Sequence, residues 1–205
     1  MTEPKVPPIL SGKHFEEDSA FIPTSLMREA RRQKGLADRP VPEVCVLDPD
    51  GDIVRRTKGA GRAARDPDWA CYHTDLYRLS HGGVGLGIVP CAVGASFAVL
   101  VAEQLFASGC RLLVSVTSSG QLVDLRPPPY FVLIERALRD EGTSYHYQPR
   151  SEFSEAPIQL IASMTSAFDE VKVAVVRGAT WTTDAPFRET PTAIAAMKTK
   201  GMQVV

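Results

Sequence analysis

The stretch ASFAVLVAEQLFASGCRLLVSVTSSGQL, residues 95–122, contains the patterns of a helix, a buried strand and a loop in direct succession. Residues 95–108 are mostly apolar and lack proline, and Gly109 stands where such a helix would end. RLLVSV at 111–116 is a short apolar run, which is typical of a buried strand. The hydroxyl-rich residues 117–122 are predicted to form the loop that leaves it. A helix followed by a buried strand is the building unit of an α/β fold.

Strand and helix patterns alternate elsewhere in the chain as well. The predicted strands are EVCVL (43–47), WACYHTDLYRL (69–79), GVGLGIVPCAV (83–93) and VKVAVV (171–176), while YFVLIERAL (130–138) fits a strand or a helix. The predicted helices are 23–35, with Thr24 or Ser25 as its N-cap, 156–168 and 191–200, and the polar residues 56–68 are predicted to be a loop. Because strands alternate with helices, we expect an α/β sheet covered by helices.

Composition narrows the possible functions. The chain has 205 residues, 44% of them hydrophobic, which is enough for one domain with a core. The net charge of −1 argues against nucleic acid and anionic membranes as partners, and no apolar run approaches the ~20 residues of a membrane span. Residues 1–20 lack the pattern of a signal peptide. The four cysteines have no CxxC spacing and are predicted to be buried free thiols of a cytoplasmic protein: Cys45, Cys71, Cys91 and Cys110.

Several local patterns look like ligand motifs without meeting their requirements. GGVGLG at 82–87 does not have the GxGxxG spacing of a dinucleotide loop. DPDGD at 48–52 has its glycine in the wrong place for a calcium loop, so a turn is expected. The four histidines have no metal-like spacing with one another or with cysteine. We therefore expect no metal site.

Three loops follow predicted strands and contain groups that suit an oxyanion or a planar ring. GDIVR at 51–55 offers exposed backbone and one guanidinium, and Thr117–Gly120 offers hydroxyls and N–H groups. TWTTDAPFRET at 180–190 combines aromatic rings with an Asp and an Arg, which suits a heterocycle. Each loop alone is more often a plain turn. All three in one α/β chain favour a site for phosphate and a ring, because ligands bind beyond the carboxyl ends of strands.

These motifs together resemble the nucleoside phosphorylase family, and within it the uridine phosphorylases. The resemblance runs from about residue 42 to the end of the chain, and residues 95–122 carry its most specific part. LRDEGTSYHYQP at 138–149 is similar to a uridine phosphorylase segment and less similar to the purine enzymes. The resemblance implies a three-layer α/β/α phosphorylase-like fold with a central mixed sheet. We expect an N-terminal arm and helix over residues 1–41 and a phosphorylase-like domain over 42–205.

The resemblance also implies a reaction and a set of site residues. The reaction is reversible phosphorolysis of a nucleoside to free base and pentose 1-phosphate, with phosphate as co-substrate and no metal or organic cofactor. Family members are homo-oligomers, from dimers to hexamers. The phosphate-binding positions of the family fall on Gly51, Arg55, Ser118, Ser119 and Gly120, and its base-binding positions on Phe187, Arg188 and Asp184. His146 matches a family histidine without an assigned role, and no catalytic residue is assigned.

Two departures from the family pattern leave alternatives open. The arginine that the family's phosphorylases carry before the hydroxyl loop is Ser115 here, so Arg62 or Arg65 would have to replace it, or the chain is a nucleosidase that uses water. The chain also ends on GMQVV at 201–205, just before the family's sugar-binding Glu-Met-Glu motif. We therefore expect a C-terminally truncated member with exposed apolar surface at Val204 and Val205. A catalytically inactive binding or assembly subunit is the third alternative.

Overall fold

The computed structural model describes residues 6–205, which divide into two compact units. The N-terminal unit is Glu16–Ser118. The C-terminal unit combines residues 6–15 with Ser119–Val205. The predicted boundary between residues 41 and 42 stays a prediction.

A five-stranded mixed sheet forms the centre of the N-terminal unit. The elements in chain order are α1 (Pro23–Lys34), β1 (Val44–Asp48), α2 (Asp52–Gly59), β2 (Ala63–Arg65), β3 (Tyr77–His81), β4 (Val84–Pro90), α3 (Ala95–Ala107) and β5 (Leu112–Ser115). The strand order in the sheet is β2-β3-β4-β1-β5. Strands β4, β1 and β5 are parallel neighbours, while β3 is antiparallel to both β2 and β4. The helix, strand and loop predicted within residues 95–122 are confirmed.

The core of this unit is formed by apolar side chains from the sheet, α1 and α3. Its fully buried members include Met27, Cys45, Val89, Val101 and Leu105. Close packing explains a glycine in the middle of β4, because a Cβ atom at Gly87 would lie 2.9 Å from Cys45 Sγ. The sheet can pack this tightly only with hydrogen at that position.

Helix ends follow the sequence only in part. Gly35 ends α1 in the left-handed conformation, with φ 64°, as predicted. The predicted cap at Thr24 or Ser25 is wrong, because the helix begins at Pro23 and its N-cap is Ile22, which makes no side-chain cap hydrogen bond. Proline suits the first helical position, since its missing N–H would have no partner there.

Two other predicted boundaries are wrong in the N-terminal unit. Residues 56–68 are not one loop, because α2 extends to Gly59 and β2 lies within the segment. The side chains of Val54 and Thr57 are buried and form the inner face of α2. The sequence pattern does not reveal this face, because most of the neighbouring residues are polar. The strand predicted over 69–79 begins only at Tyr77.

A three-stranded sheet in the order β7-β6-β8 forms the centre of the C-terminal unit. The elements are β6 (Phe131–Asp140), β7 (Phe153–Glu155), α4 (Ile158–Val171), β8 (Val175–Thr183) and α5 (Pro191–Thr199). β6 is parallel to β8 and antiparallel to β7, so the ambiguous segment 130–138 is a strand. Both units are therefore mixed α/β structures, as predicted.

The last residues of the chain are packed into the C-terminal unit. Val204 pairs with Thr180 of β8 on one side and with Gln121 on the other. Met202 is fully buried, and Val204 is only 4% exposed. The expectation of exposed apolar surface is therefore wrong at Val204, whose side chain is buried, while Val205 is half-buried.

A buried arginine holds the loop after β6. Arg139 is 5% exposed and donates hydrogen bonds to Ser144 Oγ (2.7 Å), the Pro149 carbonyl (2.7 Å) and Ser151 Oγ (2.8 Å). Its guanidinium also lies 4.4 Å from the centre of the Tyr145 ring. One planar cation thus fixes residues 144–151 through several donors.

We expect Arg139→Ala to lower the free energy of unfolding by about 3 kcal/mol, because hydrogen bonds to a charged group contribute ~1.5–3 kcal/mol. Urea denaturation measures this change. The matched control is Arg126→Ala, which removes an exposed arginine from the same unit and should change stability by less than about 0.5 kcal/mol. Equal effects of the two substitutions would contradict the role of Arg139.

The cysteines differ from the prediction at one position. Cys45, Cys71 and Cys110 are buried free thiols, as predicted, but Cys91 is exposed. Burial, with a contribution from neighbouring Cys110, raises the pKa of Cys45 to about 12. Because the thiolate is the reactive form, the raised pKa keeps the Cys45 thiol unreactive, and its burial keeps reagents away from it.

In the native protein at pH 8, we expect a disulfide reagent such as DTNB to modify Cys91 first and the buried thiols only upon unfolding. Absorbance of the released thiolate follows both phases. Cys91→Ser should remove the fast phase and leave the slow phase intact. A fast phase that persists in this variant would contradict the assignment.

Candidate functional site

The loop after β1 is shaped around a glycine that no other residue replaces without strain. Gly51 has φ 71°, in the left-handed region, and its N–H donates to the Asp48 carbonyl at 2.9 Å. A Cβ atom there would lie 3.1 Å from both Cys91 Sγ and Arg55 Nη1. Gly51 therefore lets the backbone pass close to the guanidinium and the thiol.

Arg55 lies in the first two turns of α2, directly after this glycine. Its guanidinium donates to the Asp50 carbonyl at 3.0 Å and pairs with the Asp52 carboxylate. Asp48, which is 1% exposed, accepts a hydrogen bond at 2.9 Å from the Val54 N–H, a backbone donor in the first turn of α2. The loop thus presents an exposed cation on a well-anchored turn.

The loop after β5 meets the loop after β1 because these strands are parallel neighbours. Leu47 is in register with Ser115, so the carboxyl ends of both strands lie on the same side of the sheet. The carboxylate of Asp50 accepts hydrogen bonds from the Ser118 N–H (2.6 Å), Ser118 Oγ (3.2 Å) and Thr117 Oγ1 (3.2 Å). The structure therefore brings three of the predicted phosphate-binding residues together: Gly51, Arg55 and Ser118.

Asp50 is the residue that sequence reasoning missed here. It belongs to DPDGD, which predicts only a turn. The parallel pairing of distant strands places it opposite Ser118, and no local pattern reports such a contact. Its position directly before the predicted phosphate glycine was the single available indication.

Neither proposed replacement for the missing arginine stands near Ser115. Arg65 belongs to β2, at the opposite edge of the sheet from β5. Its Nε donates to Asp75 Oδ1 at 2.7 Å, and this hydrogen bond raises the pKa of Arg65. Arg62 follows the C-terminal end of α2, whereas Arg55 lies near its N-terminal end. Arg55 is connected to the Ser118 loop through Asp50, whose carbonyl accepts a hydrogen bond from Arg55 and whose carboxylate accepts one from Ser118.

The two remaining phosphate candidates lie in the C-terminal unit. Gly120 forms backbone hydrogen bonds with Val205 in both directions, at 2.9 and 3.0 Å. A Cβ atom at Gly120 would lie 3.0 Å from Val205 Cγ1, so a larger residue would have to shift the Val205 side chain. The Gly120 N–H is thus engaged within the chain, and Ser119 beside it is exposed.

The predicted base-binding residues follow β8. Phe187 lies in a 3-10 turn, Pro186–Arg188, and its side chain is fully exposed. Asp184 Oδ2 accepts a hydrogen bond from the Gly142 N–H at 2.8 Å, which joins the loops after β6 and β8. Asp184 therefore has a structural role, while Phe187 and Arg188 offer a ring and a cation at the end of a strand.

His146 accepts a hydrogen bond at Nδ1 from Lys13 Nζ at 2.9 Å. A cavity of about 230 Å³ lies beside this contact, between residues 9–15 and 145–150. None of the predicted phosphate- or base-binding residues lines it.

Over residues 6–205, no three His, Cys, Asp or Glu side chains are grouped so as to hold a metal ion. No helix in the described part of the chain has the length and apolar character of a membrane span.

Comparisons with solved structures give the same fold repeatedly. Uridine phosphorylase from Vibrio fischeri ES114 has a TM-score of 0.69 at 18% identity, covering 82% of this chain and 71% of its own. The same enzyme complexed with 6-hydroxy-1-naphthoic acid has a TM-score of 0.65 at 17% identity, with coverages of 84% and 69%. Purine nucleoside phosphorylase from Toxoplasma gondii in complex with immucillin-H has a TM-score of 0.68 at 14% identity, with coverages of 82% and 68%.

These likenesses confirm the phosphorylase-like α/β fold with a central mixed sheet. A search of curated protein sequences gives no match. The family model described as phosphorylase superfamily matches residues 53–205. The match begins just after Gly51 and includes Arg55, the Ser118 loop and the Phe187 turn. Because it spans most of the chain, the protein belongs to the phosphorylase superfamily.

Proposed function

We propose that this chain cleaves the N-glycosidic bond of a nucleoside with inorganic phosphate as the acceptor, as a uridine-phosphorylase-like enzyme. The observation that carries the proposal is the meeting of two strand-end loops at Asp50, which groups Gly51, Arg55 and Ser118. A guanidinium, a backbone N–H and a hydroxyl are the donors that an oxyanion prefers. Membership of the phosphorylase superfamily supports this proposal.

The chemistry needs positioning and electrostatics more than a covalent intermediate. A phosphate oxygen forms a bond to the anomeric carbon of the sugar while the bond from that carbon to the base nitrogen breaks. The bonding electrons leave with the base, which then gains a proton. Positive charge develops on the sugar in the transition state, and a phosphate held by Arg55 and Ser118 would stabilise it.

We assign base recognition to the turn after β8. The fully exposed ring of Phe187 is free to stack on a planar base. Arg188 adds hydrogen-bond donors beside it, although Pro186 lengthens the spacing relative to uridine phosphorylases. The preference for uridine rests on the resemblance of residues 138–149. We further propose a cytoplasmic homo-oligomer that needs no metal or organic cofactor.

Hydrolysis is the second candidate, and a specific observation favours it. Ser115 ends β5 where phosphorylases of the family carry an arginine, and Arg65 is paired with Asp75 at the other edge of the sheet. With a serine at position 115 and Arg55 connected to the Ser118 loop through Asp50, water would have less competition from phosphate as the acceptor.

Uridine cleavage followed by ultraviolet absorbance, with and without phosphate, tests the two candidates. We expect phosphate-dependent cleavage, and Arg55→Ala should lower kcat/KM about 10- to 100-fold through a weaker grip on phosphate. Arg56→Ala, which removes the neighbouring exposed arginine of α2, is the matched control. Cleavage without phosphate would establish hydrolysis. No cleavage of uridine or of purine nucleosides by the folded chain would contradict the proposal.

Phe187→Ala should raise the KM for uridine about tenfold, because base–aromatic stacking contributes ~1–3 kcal/mol. Phe187→Tyr keeps the ring and should change the KM little. The melting temperature should not move in either variant, since Phe187 is fully exposed. An unchanged KM in Phe187→Ala would remove this residue from the base site.

A further inference from the structure

The carboxylate of Asp50 accepts hydrogen bonds from the donors that the proposed function gives to phosphate. Asp50 Oδ2 lies 2.6 Å from the Ser118 N, and Asp50 Oδ1 lies 3.2 Å from Ser118 Oγ. Thr117 Oγ1 adds a third donor at 3.2 Å from Oδ2. Two oxygens of one anion are thus bound by one backbone N–H and two hydroxyls.

A carboxylate and a phosphate compete directly for such donors. The single hydrogen of the Ser118 N–H serves one strong acceptor at a time, and so does each hydroxyl hydrogen. The carboxylate and the phosphate also repel each other, because both carry negative charge. A phosphate oxygen therefore cannot approach Ser118 closely while the carboxylate remains there. Phosphate binding at this loop therefore requires Asp50 to leave.

The charges around the loop strengthen this competition. The segment Asp48–Arg55 contains three carboxylates, on Asp48, Asp50 and Asp52, and one arginine. Arg55 is itself paired with the Asp52 carboxylate and donates to the Asp50 carbonyl. Ser115 at the end of β5 adds no cation. Carboxylates of the chain thus pair with the groups that would donate hydrogen bonds to an oxyanion. A site that binds phosphate dianion tightly needs a surplus of positive charge instead.

We propose that Asp50 is a built-in competitor of phosphate and the residue that sets how tightly this chain binds its acceptor. The inference rests on the proposed function, because it takes Gly51, Arg55 and the Ser118 loop as the phosphate site. Phosphate enters as the Asp50 side chain rotates away, and the Ser118 donors pass from carboxylate to phosphate. Asp50 is exposed, so its side chain has room to turn into solvent.

Titration of the folded chain with inorganic phosphate, by isothermal calorimetry, tests this inference. Asp50→Asn keeps the size of the side chain and removes its charge, and we expect it to bind phosphate at least about tenfold more tightly. The matched control is Asp18→Asn, which neutralises an exposed carboxylate of the same unit and should leave the affinity unchanged. Because Cys91 Sγ lies beside Gly51, slower alkylation of Cys91 by iodoacetamide gives an independent measure of phosphate in the loop.

The outcomes separate the inference from the proposed function. Equal phosphate affinity in the wild-type chain and Asp50→Asn would overturn the inference and leave phosphorolysis standing. No phosphate binding by either folded protein would overturn both. Asp50→Ser, which removes the carboxylate and shortens the side chain, should bind phosphate at least as tightly as Asp50→Asn. If circular dichroism shows that both variants unfold, Asp50 is a structural anchor of the loop, and the inference is wrong.

Discussion

The parallel pairing of β1 with strands on both of its sides is the constraint on which the candidate site depends. β1 is hydrogen-bonded to β4 on one side and to β5 on the other, with Leu47 opposite both Val89 and Ser115. The carboxyl ends of the three strands therefore lie on the same side of the sheet, and the loops that follow them are brought together there. The contact between Asp50 and Ser118 joins residues separated by 68 positions and follows directly from this pairing.

Because the strand ends are fixed, the site residues are placed more by backbone geometry than by their own side chains. Gly51 holds a left-handed conformation, and a Cβ atom there would lie 3.1 Å from both Cys91 Sγ and Arg55 Nη1. Gly120 forms backbone hydrogen bonds with Val205, and a Cβ atom there would lie 3.0 Å from the end of the Val205 side chain. Gly51, which matches one of the family's phosphate positions, thus has a structural reason to be glycine in this chain even without a ligand.

Much of the fold could be predicted from the sequence, because long apolar runs such as residues 95–108 and 111–116 are stable only when they are packed in a protein core. Residues 52–59 were missed as a helix because only Ile53, Val54 and Thr57 mark its inner face, among charged neighbours. Gly51, Arg55 and Ser118 are candidate phosphate residues by residue type and order, and the structure groups them around Asp50. Asp50 could not be predicted, since its partner depends on strand order and register, which local pattern does not determine.

The buried guanidinium of Arg139 makes the loop after β6 less sensitive to dissolved ions than the solvent-exposed ion pairs of the same unit are. Arg139 is 5% exposed, so dissolved ions screen its hydrogen bonds to Ser144, Pro149 and Ser151 only weakly. The ion pair of Arg177 with Glu135 and that of Lys200 with Glu152 are open to solvent and lose strength as ionic strength rises. In concentrated salt, these two ion pairs would therefore weaken more than the hydrogen bonds that hold residues 144–151.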